Sequence, residues 1–525
     1  MSTRRSLHVL GAAAAVLTSC APAAHPGPAA KRPFVVIQQR EPRSLNPALE
    51  NGTSSSQWGL LLFRYLVKYD DRGVLVGDAA TETPSLANGG ISRDGRTVTY
   101  HLRPGLRWSD GKPLTASDCA YSVEAILDPR NSPQTRYGYD RIARAEARDA
   151  QTCVLHLKEP FAPILTTVMA PQGYPLLPRH ALASSTFDRG TFGEKPVGAG
   201  PYVVTSWRRG DRVTLRPNPY YAPAPGIAEM EIRFVPDAGT AKNQLRTGEA
   251  DMLFNDNDLG DVPQLEAIPG MHTTITPLSS VGALIWNTTD PAVADKRVRR
   301  ALTSAIDVAT MVAKTYHGAV SAHEAGRGLF IWAFDPTRYP DTVYDPAAAR
   351  RALAAAGFRP GTELTLVIQA GIPGDAVVAN TIVQQLSAVG AKVSVKQYSA
   401  QQIVAPAGSG GPVYGGKFSL ALYGFVNGDD PDTTDQFACA NVPPRGYNKS
   451  RICDAKVDAL LAAGRSTFDT VRRKAIYGEL QARIAELDPL ILIYRRVDVT
   501  TATAALRGMT GSVDTVFWNV AAWRR

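Results

Sequence analysis

Tyr423-Gly424-Phe425-Val426-Asn427-Gly428-Asp429-Asp430-Pro431-Asp432 sets two aromatic side chains, an amide and three carboxylates close together. Aromatic rings beside carboxylates suit a pocket for a polar or cationic small molecule. Phe418, Leu420 and Leu422 alternate just before it, which predicts a half-buried strand. The glycines, the asparagine and Pro431 then stop the strand and turn the chain. The group therefore sits at a strand mouth. The same residues also suit an acidic surface turn, and the stretch alone does not separate the two.

Chemistry of other kinds lacks its residues. Ala407-Gly408-Ser409-Gly410-Gly411 misses the first glycine of a nucleophile elbow. His323-Glu324 has no second histidine four positions after the first, so the zinc-protease pattern fails. No glycine-rich phosphate loop ends in Lys-Ser or Lys-Thr. The 8 histidines do not cluster, and His101 and His156 fall on strand patterns as structural residues. No catalytic residue, metal or cofactor is expected, and the chain does not read as an enzyme. The formal charge is +9, but the basic residues are scattered in doublets such as Arg208-Arg209 and Arg299-Arg300. Without a basic stripe interleaved with aromatics, nucleic-acid binding is not expected.

The elements that must carry the site follow from periodicity and punctuation. With 525 residues the chain is long enough for two or more domains with large cores. A strand is expected at 34–38, and a helix at 57–67 behind the small polar run 51–56. Asp94-Gly95 makes a hairpin turn, and Val98, Tyr100 and Leu102 form one face of the next strand. Thr115 and Asp118 open a helix. A hairpin turns at 208–211. Asp345-Pro346 to Gly357 carries an N-cap, a proline at the first turn and a terminal glycine. A strand at 364–369, a helix at 377–389 and a strand at 393–398 follow. Finally come a helix at 470–487, stopped by Pro489, and a strand at 490–494. Strand–helix–strand order predicts an α/β fold.

The N-terminus reads as an address. Arg4-Arg5 precede a short apolar core, too short for a permanent span. Leu17-Thr18-Ser19-Cys20 resembles the bacterial lipobox, which implies a signal peptide at 1–19 and lipidation of Cys20. Residues 20–33, rich in alanine and proline, then form a tether. The other four cysteines suggest disulfides in an exported protein. Cys439 and Cys453 close a short loop after the acidic turn. Cys119 pairs with Cys153 by elimination, or is simply a core residue on its helix.

A longer resemblance runs through the chain. Ser92 to Asp118, with Asp94-Gly95, Pro104-Gly105-Leu106-Arg107-Trp108-Ser109-Asp110-Gly111-Lys112-Pro113-Leu114-Thr115 at its centre, resembles the signature of the peptide/nickel-type extracellular solute-binding proteins of ABC importers. Val197-Gly198-Ala199-Gly200-Pro201-Tyr202, Asn218-Pro219-Tyr220-Tyr221, Ile285-Trp286-Asn287 and Tyr447-Asn448 continue it in order. The resemblance implies a two-lobed fold of the periplasmic-binding-protein type II kind. Lobe one is expected at 34–285 and 498–525, with 80–195 as an inserted subdomain, and lobe two at 286–497. It implies capture of a peptide or peptide-like solute between the lobes and delivery to a permease with its ATPase. The protein is expected as an exported, lipid-anchored monomer facing the periplasm or cell exterior. A non-peptide cargo (an opine, metal chelate or glycoside) and a peptide-sensing lipoprotein without transport are the alternatives.

The resemblance also implies the site. Peptide-binding members place a tryptophan after a glycine, then an aspartate that holds the ligand's ammonium. Those positions fall here on Phe425 and Asn427, and Asn427 carries no charge. Asp429 reaches the same place if the turn is one residue shorter. Tyr423 flanks this edge. Asn51, Gly52, Thr53 and Ser54 match the segment lining the opposite wall, or form a structural loop. Trp286 and Asn287 fall at the lobe crossing, as hinge or cleft floor. Arg445 is either a partner for a ligand carboxylate or a surface arginine.

Overall fold

The computed structural model describes residues 32–49, 53–184, 186–187, 190–256, 259–315, 325–372, 374–426, 428–513 and 515–525. Residues 1–31 with Cys20, and Asn51, Gly52 and Asn427, lie outside the described residues, as do the side chains of Thr53 and Ser54.

A ten-stranded mixed sheet organises the chain. Its spatial order is Lys392–Tyr398, Glu363–Gln369, Leu420–Val426, Met271–Trp286, Leu490–Thr503, Met252–Asp256, Phe34–Gln38, Met230–Phe234, Arg212–Pro217 and Tyr202–Arg208. The two long central strands, Met271–Trp286 and Leu490–Thr503, pair antiparallel along most of their length. The three strands on one side of them and the five on the other are the two lobes. Register breaks between Pro277 and Val281, so the ribbon joining the lobes is bulged there. Trp286 and Asn287 lie beyond that bulge, at the far end of the strand.

The alternating residues predicted for these strands explain their burial. Leu364, Leu366 and Ile368 share one core with Leu420, Leu422 and Trp286. The last strand extends to Thr503, well beyond the expected 490–494. Arg495, Arg496 and Asp498 hide it in the sequence, and pairing with Thr276, Pro277 and Val281 holds it extended. The helix expected at 57–67 occupies Thr53–Leu62, so residues 53–56 of the small polar run form its first turn, not a loop before it. Its end is set by close approach: a Cβ on Gly198 would meet the Leu62 carbonyl oxygen at 1.8 Å, and one on Gly200 its carbonyl carbon at 2.4 Å. Gly200 N–H donates to the Leu62 carbonyl at 2.9 Å. Only glycine lets the hairpin entry lie so near the helix end. The helix Pro346–Ala355 has its expected cap, with Asp345 Oδ1 accepting from Ala348 N–H at 2.8 Å.

Within residues 80–195, Thr97–His101, Thr152–Leu157 and Ile142–Ala147 form a separate three-stranded sheet with Thr152–Leu157 central. Both expected disulfides are formed. Cys119–Cys153 ties the helix Ala116–Leu127 to that central strand, and Cys119 is at the same time fully buried in the core. The bridges enclose separations of 34 and 14 residues. In a chain-entropy account, replacing Cys119 and Cys153 by alanine should cost about 0.8 kcal/mol more than replacing Cys439 and Cys453. Urea unfolding of the two double variants checks this; a larger loss from the shorter loop would reject the entropic account.

Arg32 and Arg525 both pair with the buried carboxylate of Asp251, at 2.7 and 3.0 Å. Among the described residues no helix is long and apolar enough to cross a membrane.

Candidate functional site

The strand Leu420–Val426 pairs with the upper part of Met271–Trp286, setting Phe425 opposite Val281 and Gly424 opposite Gly282. Past its end the chain turns into Asp429, Asp430 and Asp432, and these three carboxylates are held differently.

Asp429 is 1% exposed and stands where the lobes meet. Ser279 Oγ, from the bulge of the crossing strand, donates to one carboxylate oxygen. Gln172 Nε2, from the opposite lobe, donates to the other at 3.0 Å. Tyr69 Oη, also from the opposite lobe, donates to the Asp429 carbonyl at 3.1 Å. Neutral donors from both lobes thus converge on this one side chain and its carbonyl.

Asp430 points the other way. Arg473, on the helix Thr470–Leu487, grips it with two hydrogen bonds of 2.6 and 2.7 Å, both side chains being buried. Arg473 Nε also donates to the Gly464 carbonyl at 2.9 Å. This pair anchors the turn that presents Asp429.

Asp432 accepts from Tyr137 Oη of the opposite lobe at 3.0 Å and from Thr434 Oγ1. Burial, reinforced by the neighbouring Asp430 charge, pushes its carboxyl up to about 6. A carboxyl raised by folding binds more protons in the folded state. Its stabilising contribution is full below about pH 4, the ordinary aspartate range, and is lost as pH climbs through about 6. The stability of the protein relative to its Asp432→Asn variant should therefore fall between about pH 4 and 6. A stability difference that stays flat across that window would exclude Asp432 as the titrating group.

The lobes touch at further points. Ala162 N–H donates to the Arg465 carbonyl at 2.6 Å. Phe468 packs against the core of the first lobe. Tyr423 and Phe425 project from one face of their strand, and Lys449 lies over both rings.

The remaining sequence candidates fall elsewhere. Trp286 is fully buried in the core behind the sheet. Asn287 is also buried, and its amide donates to the carbonyls of Gly416 and Phe418 at 3.0 and 2.9 Å, which fixes the loop entering the strand Leu420–Val426. Both positions thus support the strand that carries the site. Arg445 is exposed, and its guanidinium donates to the Cys439 carbonyl at 3.5 Å. Tyr69, Tyr137, Gln172, Ser279 and Arg473 were not singled out from the sequence. They lie far from residue 429 in the chain and belong to no local pattern. A cavity of about 200 Å³ lined by Glu82, Thr99, His101 and Arg148 lies on the side sheet and shares no residue with the Asp429 group. Among the described residues no group of three or more histidine, cysteine, aspartate or glutamate side chains is placed to hold a metal.

The chain is 28% identical to Protein XP55 of Streptomyces lividans, over 94% of this chain and 91% of that protein. It is 26% identical to Di/tripeptide-binding protein 1 of Pseudomonas aeruginosa, over 87% and 88%. Its fold matches the oligopeptide-binding protein AppA of Bacillus subtilis in complex with a nonapeptide, with a TM-score of 0.74, 21% identity, and 94% and 98% of the two chains covered. That fold is the two-lobed one the resemblance implied. Residues 81–443 match the bacterial extracellular solute-binding proteins, family 5 (middle region), and the chain belongs to that family.

Proposed function

We propose that the protein captures a short peptide or peptide-like solute between its lobes and delivers it to an ABC permease driven by a companion ATPase. Asp429 carries this reading. It is a buried carboxylate in hydrogen-bonded contact with both lobes, where an ammonium group of a ligand would find its anion. The di/tripeptide-binding relative and the nonapeptide-bound neighbour support a peptide cargo.

In this reading the open protein binds solute on one lobe. The ribbon Met271–Trp286 with Leu490–Thr503 twists at its bulge, and the second lobe covers the ligand. Lobe one comprises 34–285 and 498–525 with the subdomain 80–195, and lobe two 286–497; the second limit then divides the strand Leu490–Thr503 between Val497 and Asp498. Asn51, Gly52, Thr53 and Ser54 line the wall opposite Asp429, and Tyr423, Phe425 and Asn427 its near edge. Cys20 carries the lipid after removal of residues 1–19, so a monomer works at the outer face of the membrane. No covalent chemistry is involved.

Native mass spectrometry of the purified soluble part, looking for co-purified ligand, tests the cargo. A ladder of peptide masses is expected. A reproducible non-peptide mass would replace this reading by a non-peptide cargo, which the uncharged Asn427 favours.

A further inference from the structure

We propose that Lys449 binds an anionic group of the solute, a carboxylate, in a subsite walled by Tyr423 and Phe425. The inference rests on the solute-capture reading above and names the half of the ligand that Asp429 does not meet.

Lys449 is only 7% exposed. Its Nζ stands 4.3 Å from the Tyr423 ring centroid and 4.9 Å from that of Phe425. Among the described residues no carboxylate or carbonyl oxygen pairs with this ammonium. The other buried cations of this lobe are compensated. Arg473 has Asp430, and Arg299 donates to the carbonyls of Val293, Ala294, Leu487 and Asp488. Ring faces attract a cation, but less than a paired anion compensates its desolvation. Burial accordingly pulls the Lys449 ammonium down to about 8, a cost that an incoming anion would reverse.

The position is also pre-organised. Lys449 lies inside the loop closed by Cys439–Cys453. On one side Asn448 Nδ2 donates to the carbonyls of Ala438 and Ile452, at 3.0 and 2.8 Å. On the other the Ser450 carbonyl accepts from Thr288 N–H and Oγ1, both at 2.9 Å. The ammonium is thus held over the strand that leads to Asp429, as a fixed cation ready for a ligand. A second cation, Arg496, crosses the same strand: a Cβ on Gly424 would meet its Nη2 at 2.7 Å. The charge around Tyr423 is therefore positive, opposite in sign to that around Asp429. A zwitterionic solute matches this polarity.

The test uses the purified full chain and a thermolysin digest of casein, offered as free acids and after methyl esterification of every carboxylate. Peptides retained through gel filtration are identified by mass spectrometry. The protein is expected to retain free-acid peptides at least tenfold over the esters. Lys449→Met should lose that preference while melting no lower than the parent, since it removes an uncompensated buried charge. Equal retention of acids and esters would overturn the subsite and leave peptide capture standing. A Lys449→Met protein that melts well below the parent would also overturn it, by making Lys449 a fold-holding residue. If neither digest is retained, peptide capture fails, and succinate and citrate decide the subsite by thermal shift. A rise in melting temperature lost in Lys449→Met supports it, and no rise overturns it.

Discussion

Replacing Arg473 by methionine should lower folding stability by about 3–5 kcal/mol, because it leaves a buried carboxylate without its cationic partner. The guanidinium makes two short bonds to Asp430, and the side chains are 6% and 8% exposed. Removing one member leaves the Asp430 charge beside the half-buried Asp432, whose carboxyl is already raised. Removing both charges is a different experiment. Arg473→Met with Asp430→Leu replaces a buried ion pair by apolar groups, which is often close to neutral. The double variant should therefore recover more than half of the single variant's loss in urea unfolding. If Arg473→Met costs under about 1 kcal/mol, the pair behaves as an exposed one, and its place as the anchor of the acidic turn is lost.

Asp429→Asn should weaken binding of trialanine by about 30- to 4000-fold, the range for removing one charge from a buried pair. N-acetyl-trialanine, which has no ammonium, should bind the two proteins within about threefold of each other if the paired charge is the only term lost. The acetylated peptide controls for the local cost of the change, since Ser279 and Gln172 both donate to this carboxylate. Isothermal titration of the four combinations settles the role. Equal losses for both peptides would remove Asp429 as the ammonium partner.

Much of this architecture was readable in the sequence, because the signals are local. Asp345-Pro346 and its closing glycine delimit a helix through backbone chemistry alone. Phe418, Leu420 and Leu422 mark a strand by alternation. The two glycines of Val197-Gly198-Ala199-Gly200 were legible as a motif, and the structure supplies their reason in the Leu62 carbonyl. The site was legible only on its own strand. Asp429 could be named because it follows that strand, whereas Gln172 and Tyr69 reach it from more than 250 positions away. Contacts across a cleft leave no period in either segment. Lys449 was missed for a related reason. A single lysine beside Tyr447-Asn448 reads as surface, and only its placement over two rings shows that it is buried. Charged residues misled in the opposite direction along the last strand, whose expected end at 494 stops short of Arg495 and Asp498, while the ladder continues to Thr503.

The shared grip of Arg32 and Arg525 on Asp251 bears on where the protein works. It gathers both ends of the folded body at one carboxylate on the first lobe. With Cys20 lipidated, the segment from Cys20 to Arg32 reaches at most about 40 Å when fully extended. Under the anchoring proposed above, the protein would be a leashed particle in a thin shell above the lipid, with the same face of the first lobe toward the leash. Its encounters with a permease would then be a search in a plane rather than a volume, and lengthening the leash would dilute them without touching the cleft.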